Sequence, residues 1–212
     1  GLSPFLILAT DSVIIIVMNT VLQKYGGSKE GDLLITCATI VQSYMMLITG
    51  PMLGISSGTQ AILSYNYGAK EIKRVRKAEK YILILCLCFT SFMFILSRIV
   101  PEYFIRIFTR EPELTDLCVW GIHIFTLMII PLSFQYVFVD GFTALGRSKT
   151  ALFLSMFRKG DYMLFTILLP AFFGARSAFY AQPLADGIAA TMSIIAFLLV
   201  FNKHLRKQEV SL

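Results

Sequence analysis

Residues 33–65 read LLITCATIVQSYMMLITGPMLGISSGTQAILSY, with no Asp, Glu, Lys or Arg among them. A helix of about 20 apolar residues already crosses the hydrocarbon layer of a bilayer. This stretch is longer, and Gly50 and Pro51 stand near its middle, so it predicts one long membrane helix kinked at that pair. Working outward, Pro4–Leu22 precedes it across a polar turn containing Gly26 and Gly27. Ile82–Leu96, Leu114–Leu145, Thr150–Phe173 and Ala178–Phe201 follow. Pro131 falls inside the fourth span, and Arg158, Lys159 and Asp161 interrupt the fifth. The expected fold is an all-α membrane protein in which residues 1–212 form a single unit of six transmembrane helices.

Composition agrees. Hydrophobic residues make up 56% of the 212 and charged residues 15%, with mean hydropathy +0.71, where a soluble domain carries about 25% charged residues. An ordinary soluble enzyme and a disordered chain are excluded. Although the pI is about 9.2, the basic residues read by their position relative to a bilayer, not as a nucleic-acid surface. Lys70, Lys73, Arg74, Arg76, Lys77 and Lys80 fill the connection from Gly68 to Lys80, read here as a loop. Arg147, Lys149, Lys203, Arg206 and Lys207 fall on the same side. The other side holds Lys24, Lys29, Arg98, Arg106, Arg110 and Arg176. This excess places both termini in the cytoplasm. The basic stretch itself reads as a solvated anchor, with lipid headgroups as its alternative partner. The chain opens on Gly1, with no basic leader before the first apolar run, which fits a segment of a longer protein.

Polar residues within apolar spans carry the functional reading, because a central Asp costs about 2.5–3.5 kcal/mol to insert. Asp11, Asp186 and Asp140 are candidates for binding a cation or proton; the alternative for Asp11 is a hydrogen-bonded structural carboxyl, and for Asp140 a position near the cytoplasmic interface. Met18 and Asn19 lie near the Asp11 face, and Gln42, Gln60 and Gln135 are embedded in apolar sequence. Amides and thioethers suit a pliable cavity for bulky organic molecules, although interhelical hydrogen bonding explains each equally well. Gly50, Gly54 and Gly58 recur at i, i+4 and mark a face for close helix packing. Arg158 and Asp161 are spaced as an i, i+3 ion pair. His123 has no ligand-type residue at metal spacing, so no metal is expected. The four cysteines read as small apolar packing groups. No phosphate-binding Gly-Lys-Ser loop exists, so neither ATP nor another cofactor is expected and an ion gradient must drive any transport.

The run from Gly50 to Ala69, ending in Tyr65-Asn66-Tyr67-Gly68-Ala69, resembles the second-helix signature of multidrug and toxic compound extrusion (MATE) transporters. Ala144-Leu-Gly-Arg-Ser-Lys149, Arg158-Lys-Gly160 and Gln182-Pro-Leu-Ala-Asp186 are similar to the carboxy-terminal half of that family. The resemblance implies twelve helices in two lobes, of which this chain is the second, with a missing amino-terminal lobe as its partner. It implies a plasma-membrane antiporter, not an enzyme, that exports amphiphilic organic cations in exchange for sodium ions or protons. Asp11 lies where one branch of the family has a coupling Glu. The Asp of its fourth helix aligns near Phe134 and Gln135, where no carboxylate stands. Two rivals remain: a flippase for lipid-linked precursors, which lines its cavity with Arg and Lys, and an intramembrane serine protease using Ser56 and His123. Membrane lipid is an expected partner under every reading, and nucleic acid under none.

Overall fold

The computed structural model describes residues 2–201, with side chains from residue 9 onward. Lys203, Arg206 and Lys207, used above in the charge balance, lie outside the described residues. Helix α1 (Leu2–Gly58) contains one non-helical residue, Gly27, at φ 69° and ψ −166°. The left-handed φ suits glycine, which has no Cβ to clash. The backbone folds back so tightly there that a Cβ on Gly26 would lie 2.8 Å from the Cα and N of Gly31. α1 is thus two arms, 2–26 and 28–58. α2 (Gln60–Gly68), α3 (Ile72–Ile99), α4 (Pro101–Ile105), α5 (Pro112–Phe125), α6 (Ile129–Ala144), α7 (Ser148–Phe173) and α8 (Ala181–Ala196) follow. A 3₁₀ turn, Ala175–Tyr180, leads into α8, and a π turn, Phe197–Phe201, follows it.

Among the described residues three helices are long and apolar enough to cross a membrane: Ala9–Gly68, Ile72–Ile99 and Ala175–Phe201. The α5–α6 pair, bent by 50°, makes a fourth crossing. The first of these is the folded-back α1 together with α2 and supplies two. α7, with 26 residues, is long enough to cross but carries three charges at its centre. Six crossings result, and no strand occurs among the described residues.

Local chemistry moves several breaks from where the sequence places them. The second arm of α1 stays helical through Pro51, and the interruption falls instead at Thr59. There the hydroxyl donates to the carbonyls of Ile55 and Ser56, competing with the backbone ladder. Pro131 does not kink a helix. It occupies the first turn of α6, where a missing N–H has no helical acceptor to lose, and the chain bends just before it, at residues 126–128. α7 runs unbroken through Arg158–Asp161. The stretch read as a basic loop is helical from Ile72. Ile72, Val75, Glu79, Ile82 and Cys86 form its buried face while Lys73, Arg74, Arg76, Lys77 and Lys80 face outward, as a helical period requires.

The core has two parts. One packs α1, α5 and the 3₁₀ turn around Met18, Leu22, Val41, Cys118, Phe125 and Phe179. The other packs the second arm of α1, α2, α3, α6 and α7 around Met52, Leu63, Leu132, Phe142 and Leu154. Hydroxyl pairs stitch α3 to its neighbours: Thr90 with Ser133 at 2.8 Å, and Ser97 with Thr126 at 3.1 Å. Outside stand large apolar side chains such as Ile16, Leu85, Phe92, Ile95 and Leu198, a surface suited to lipid.

Gly50, Gly54 and Gly58 are exposed, and a Cβ on any of them would meet nothing within 4 Å. No helix of the described residues packs on that face. We predict that Gly26→Ala, which forces the hairpin open, lowers the thermal midpoint of the detergent-solubilised chain. Gly50→Ala leaves that midpoint unchanged or raises it slightly, since alanine favours a helix over glycine by about 1 kcal/mol. Circular dichroism melting of the two variants distinguishes these outcomes.

Candidate functional site

α7 lies between α1 and α8, in contact with both, and its consecutive residues Arg158 and Lys159 project about 100° apart. Each therefore meets a different neighbour. Lys159 Nζ donates to Asp11 Oδ1 on the first arm of α1 at 2.5 Å, the lysine side chain 7% exposed and the aspartate 53%. Arg158 Nη1 donates to Asp186 Oδ1 on α8 at 3.1 Å, the aspartate side chain having no exposed surface. Gln182, one turn before Asp186, donates Nε2 to its other oxygen at 2.7 Å. The Arg158 guanidinium also stands 5.7 Å from the centre of the Tyr136 ring, within cation–π range. Four charges from three helices thus form two pairs joined through one peptide of α7. In a low-dielectric interior such pairing is what makes buried charge tolerable.

The spacing-based ion pair between Arg158 and Asp161 is not formed. Arg158 turns to Asp186, and Asp161 Oδ2 is buried without a hydrogen-bond partner. An i, i+3 contact in a helix is worth only tenths of a kcal/mol, and a wholly buried carboxylate on the next helix outcompetes it.

Asp140 belongs to a separate cluster. Ser56 Oγ donates to its Oδ2 at 2.5 Å, and Gln60 Nε2 to its Oδ1 at 2.8 Å, joining α6 to α1 and α2. Gln60 is therefore held by Asp140. Gln135 is buried, donating Nε2 to the Leu154 carbonyl at 3.2 Å and accepting from Ser193 Oγ, so it ties α6 to α7 and α8. Gln42 lies near the Tyr162 hydroxyl of α7. Met18, expected along a cavity, has no exposed surface and sits in the apolar core. Asn19 beside it is half-buried. Ser56 is committed to Asp140, and His123 lies against Arg98 and Ser97 of α3, so the pair a serine protease needs is not assembled.

Three participants escaped the sequence reading: Lys159 as a counter-ion, Tyr136 as a ring beneath Arg158, and Glu79. Glu79 is 3% exposed, with no hydrogen-bond partner for either carboxylate oxygen. The signal for it was present, since Glu79 follows Ile72 by seven residues and Val75 by four, on the apolar face.

The MatE family pattern matches residues 8–168. No curated protein matches the chain. Among solved structures, an outward-facing multidrug resistance MATE family transporter of the MOP superfamily is similar at TM-score 0.84 and 17% identity, covering 99% of this chain and 46% of that one. An inward-facing MATE transporter structure matches at TM-score 0.82 and 17% identity, over 99% and 47%. A MOP superfamily transporter from Pyrococcus furiosus, in which a reversed polarity of the binding pocket suggests a different function, matches at 0.84 and 15%, over 99% and 46%. The chain spans just under half the length of each. It belongs to the MatE family, and its fold is one lobe of a multi-pass MATE transporter.

The charge pairs predict unequal sensitivity. Asp186→Ala leaves Arg158 without its carboxylate in a closed site and should cost about 3–5 kcal/mol. Asp11→Ala, at a half-exposed aspartate, should cost less. Unfolding titrations of both variants in detergent test this, and equal losses would contradict it.

Proposed function

We propose that this lobe is the second half of a secondary active antiporter that exports organic cations and other amphiphiles in exchange for sodium ions or protons. One observation carries the reading: Asp11 is half exposed, yet is tied to a buried ammonium. A sodium ion or proton reaching Asp11 competes with Lys159 for the same oxygen. When it wins, Lys159 is left buried with the Asp11 carboxylate neutralised, and the contact between α1 and α7 loses the attraction of this pair. Occupancy by the coupling ion thereby changes the relative energy of two arrangements of those helices. A ligand shifts such an equilibrium only through differential affinity of this kind.

Asp186 is the fixed member of the set, closed off by Arg158 and Gln182. Asp140, with Ser56 and Gln60, is a second position at which a proton or ion could bind. Substrate would lie in a cleft between this lobe and an amino-terminal one, near the middle of the bilayer, and rocking would alternate its exposure. Comparable similarity to outward- and inward-facing structures supports a lobe that moves as one body. The charge balance argues for both termini in the cytoplasm, and the plasma membrane is what membership of the family suggests. The flippase reading asks for basic side chains held ready for phosphate, whereas Arg158 and Lys159 are engaged by Asp186 and Asp11.

Asp11→Asn in the intact protein tests the proposal. Dye efflux driven by a sodium or proton gradient should fall to background while membrane yield stays normal. Efflux at the unmodified rate would overturn the assignment of Asp11.

A further inference from the structure

Away from the charge pairs, a cavity of about 280 Å³ opens between α3, α6 and the π turn that follows α8. Leu83, Phe138, Phe197 and Phe201 wall it. Phe197 stacks on Phe138 with ring centres 4.0 Å apart and on Phe201 at 4.5 Å, so the π turn delivers two rings to the face of α6. Three charged residues complete the lining: Arg76, Glu79 and Lys80, spaced i, i+3 and i+4 on one side of α3. Arg76 and Lys80 are exposed, and Glu79 is not.

Glu79 is the anomaly of this region. Its carboxyl rests on Gly141 of α6, where a Cβ would come within 2.5 Å of Oε1, and neither oxygen has a hydrogen-bond partner. An isolated buried carboxylate is expensive, and two lysine- or arginine-bearing positions within one turn have not been drawn onto it. An ammonium group inside the cavity would supply the missing partner. The exposed Lys80 suits an anion at the same time. The adjacent acid and base on α3 are thus complementary to a molecule with a phosphate and a primary ammonium joined by a short link. The apolar walls and the lipid-facing surface beyond them suit that molecule's acyl chains. α3 begins its apolar run three residues after Glu79, at Ile82, so the site lies at headgroup depth.

We propose that this cavity binds the headgroup of a phospholipid bearing a primary amine, with the ammonium at Glu79 and the phosphate at Lys80. The site shares no residue with the Asp11–Lys159 and Arg158–Asp186 pairs and stands independently of the antiport reading. Binding fastens the start of α3 to the end of α8 through one lipid, and restrains the π turn against α6.

Native mass spectrometry of the intact polypeptide tests this, using phosphatidylethanolamine, phosphatidylcholine and phosphatidylglycerol of equal chain length. The unmodified protein should retain phosphatidylethanolamine over both others, because a trimethylammonium cannot donate hydrogen bonds to Glu79 and glycerol carries no charge. Glu79→Gln should reduce that preference about tenfold, the worth of one charge-assisted hydrogen bond. Lys80→Gln should weaken all three lipids. Equal retention of the three by the unmodified protein would overturn the proposal without any variant being made. So would an undiminished preference in Glu79→Gln.

Discussion

Two cations side by side on α7, each answered by a carboxylate from a different helix, set the constraint around which the lobe is arranged. A lysine and an arginine at the centre of a crossing cannot be left to lipid, where a charge costs several kcal/mol. Because they are adjacent in sequence they point in different directions, and no single neighbour can satisfy both. α7 therefore has to lie between α1 and α8, with Asp11 and Asp186 at matching depth. Once these are in place, Gln182 completes the coordination of Asp186 and the Tyr136 ring fills the space against Arg158.

Neutral polar contacts then fix the remaining register. Thr90 with Ser133, Ser97 with Thr126, and Ser193 with Gln135 each join two segments through side chains closed to solvent. Each contact contributes little on its own, about 0.6 kcal/mol on average in a membrane bundle. Their value lies in specificity: sliding one helix by a turn would leave several hydroxyls unpartnered at once, while the apolar packing would change little.

The fold was legible in the sequence because a bilayer imposes a length rule on apolar runs, and because the Tyr65–Ala69 signature is specific. The breaks were less so. Pro51 and Pro131 look alike as letters, yet one is absorbed in mid-helix and the other opens a new helix, a difference settled by where the neighbouring ladder begins. Asp11 and Asp186 were legible as costly residues, but their partners were not, since Lys159 is 148 positions from Asp11 and only tertiary structure brings them together. Helical spacing put Met18 on the Asp11 face, yet one is buried and the other half exposed, because α1 changes neighbours along its length. The spacing of Gly50, Gly54 and Gly58 says that they share a face and is silent on what covers it. Glu79 was hidden in plain view: a cluster of lysines and arginines drew attention to charge, and the apolar period beneath it passed unread.

The separation between Asp11 and Lys159 also bears on how the molecule is made. A chain threaded into the membrane from its amino end delivers Asp11 well before the segment carrying Lys159 leaves the ribosome. During that interval the aspartate has no counter-ion. The apolar residues around it, and the second arm joined at Gly27, help to hold the first arm in the bilayer without that ion pair. Arg158 and Asp186 are separated by only 28 positions and arrive almost together. The two halves of one charge cluster are thus assembled on different schedules, and the open position of Asp11, with half its surface still free, is the one that has to wait.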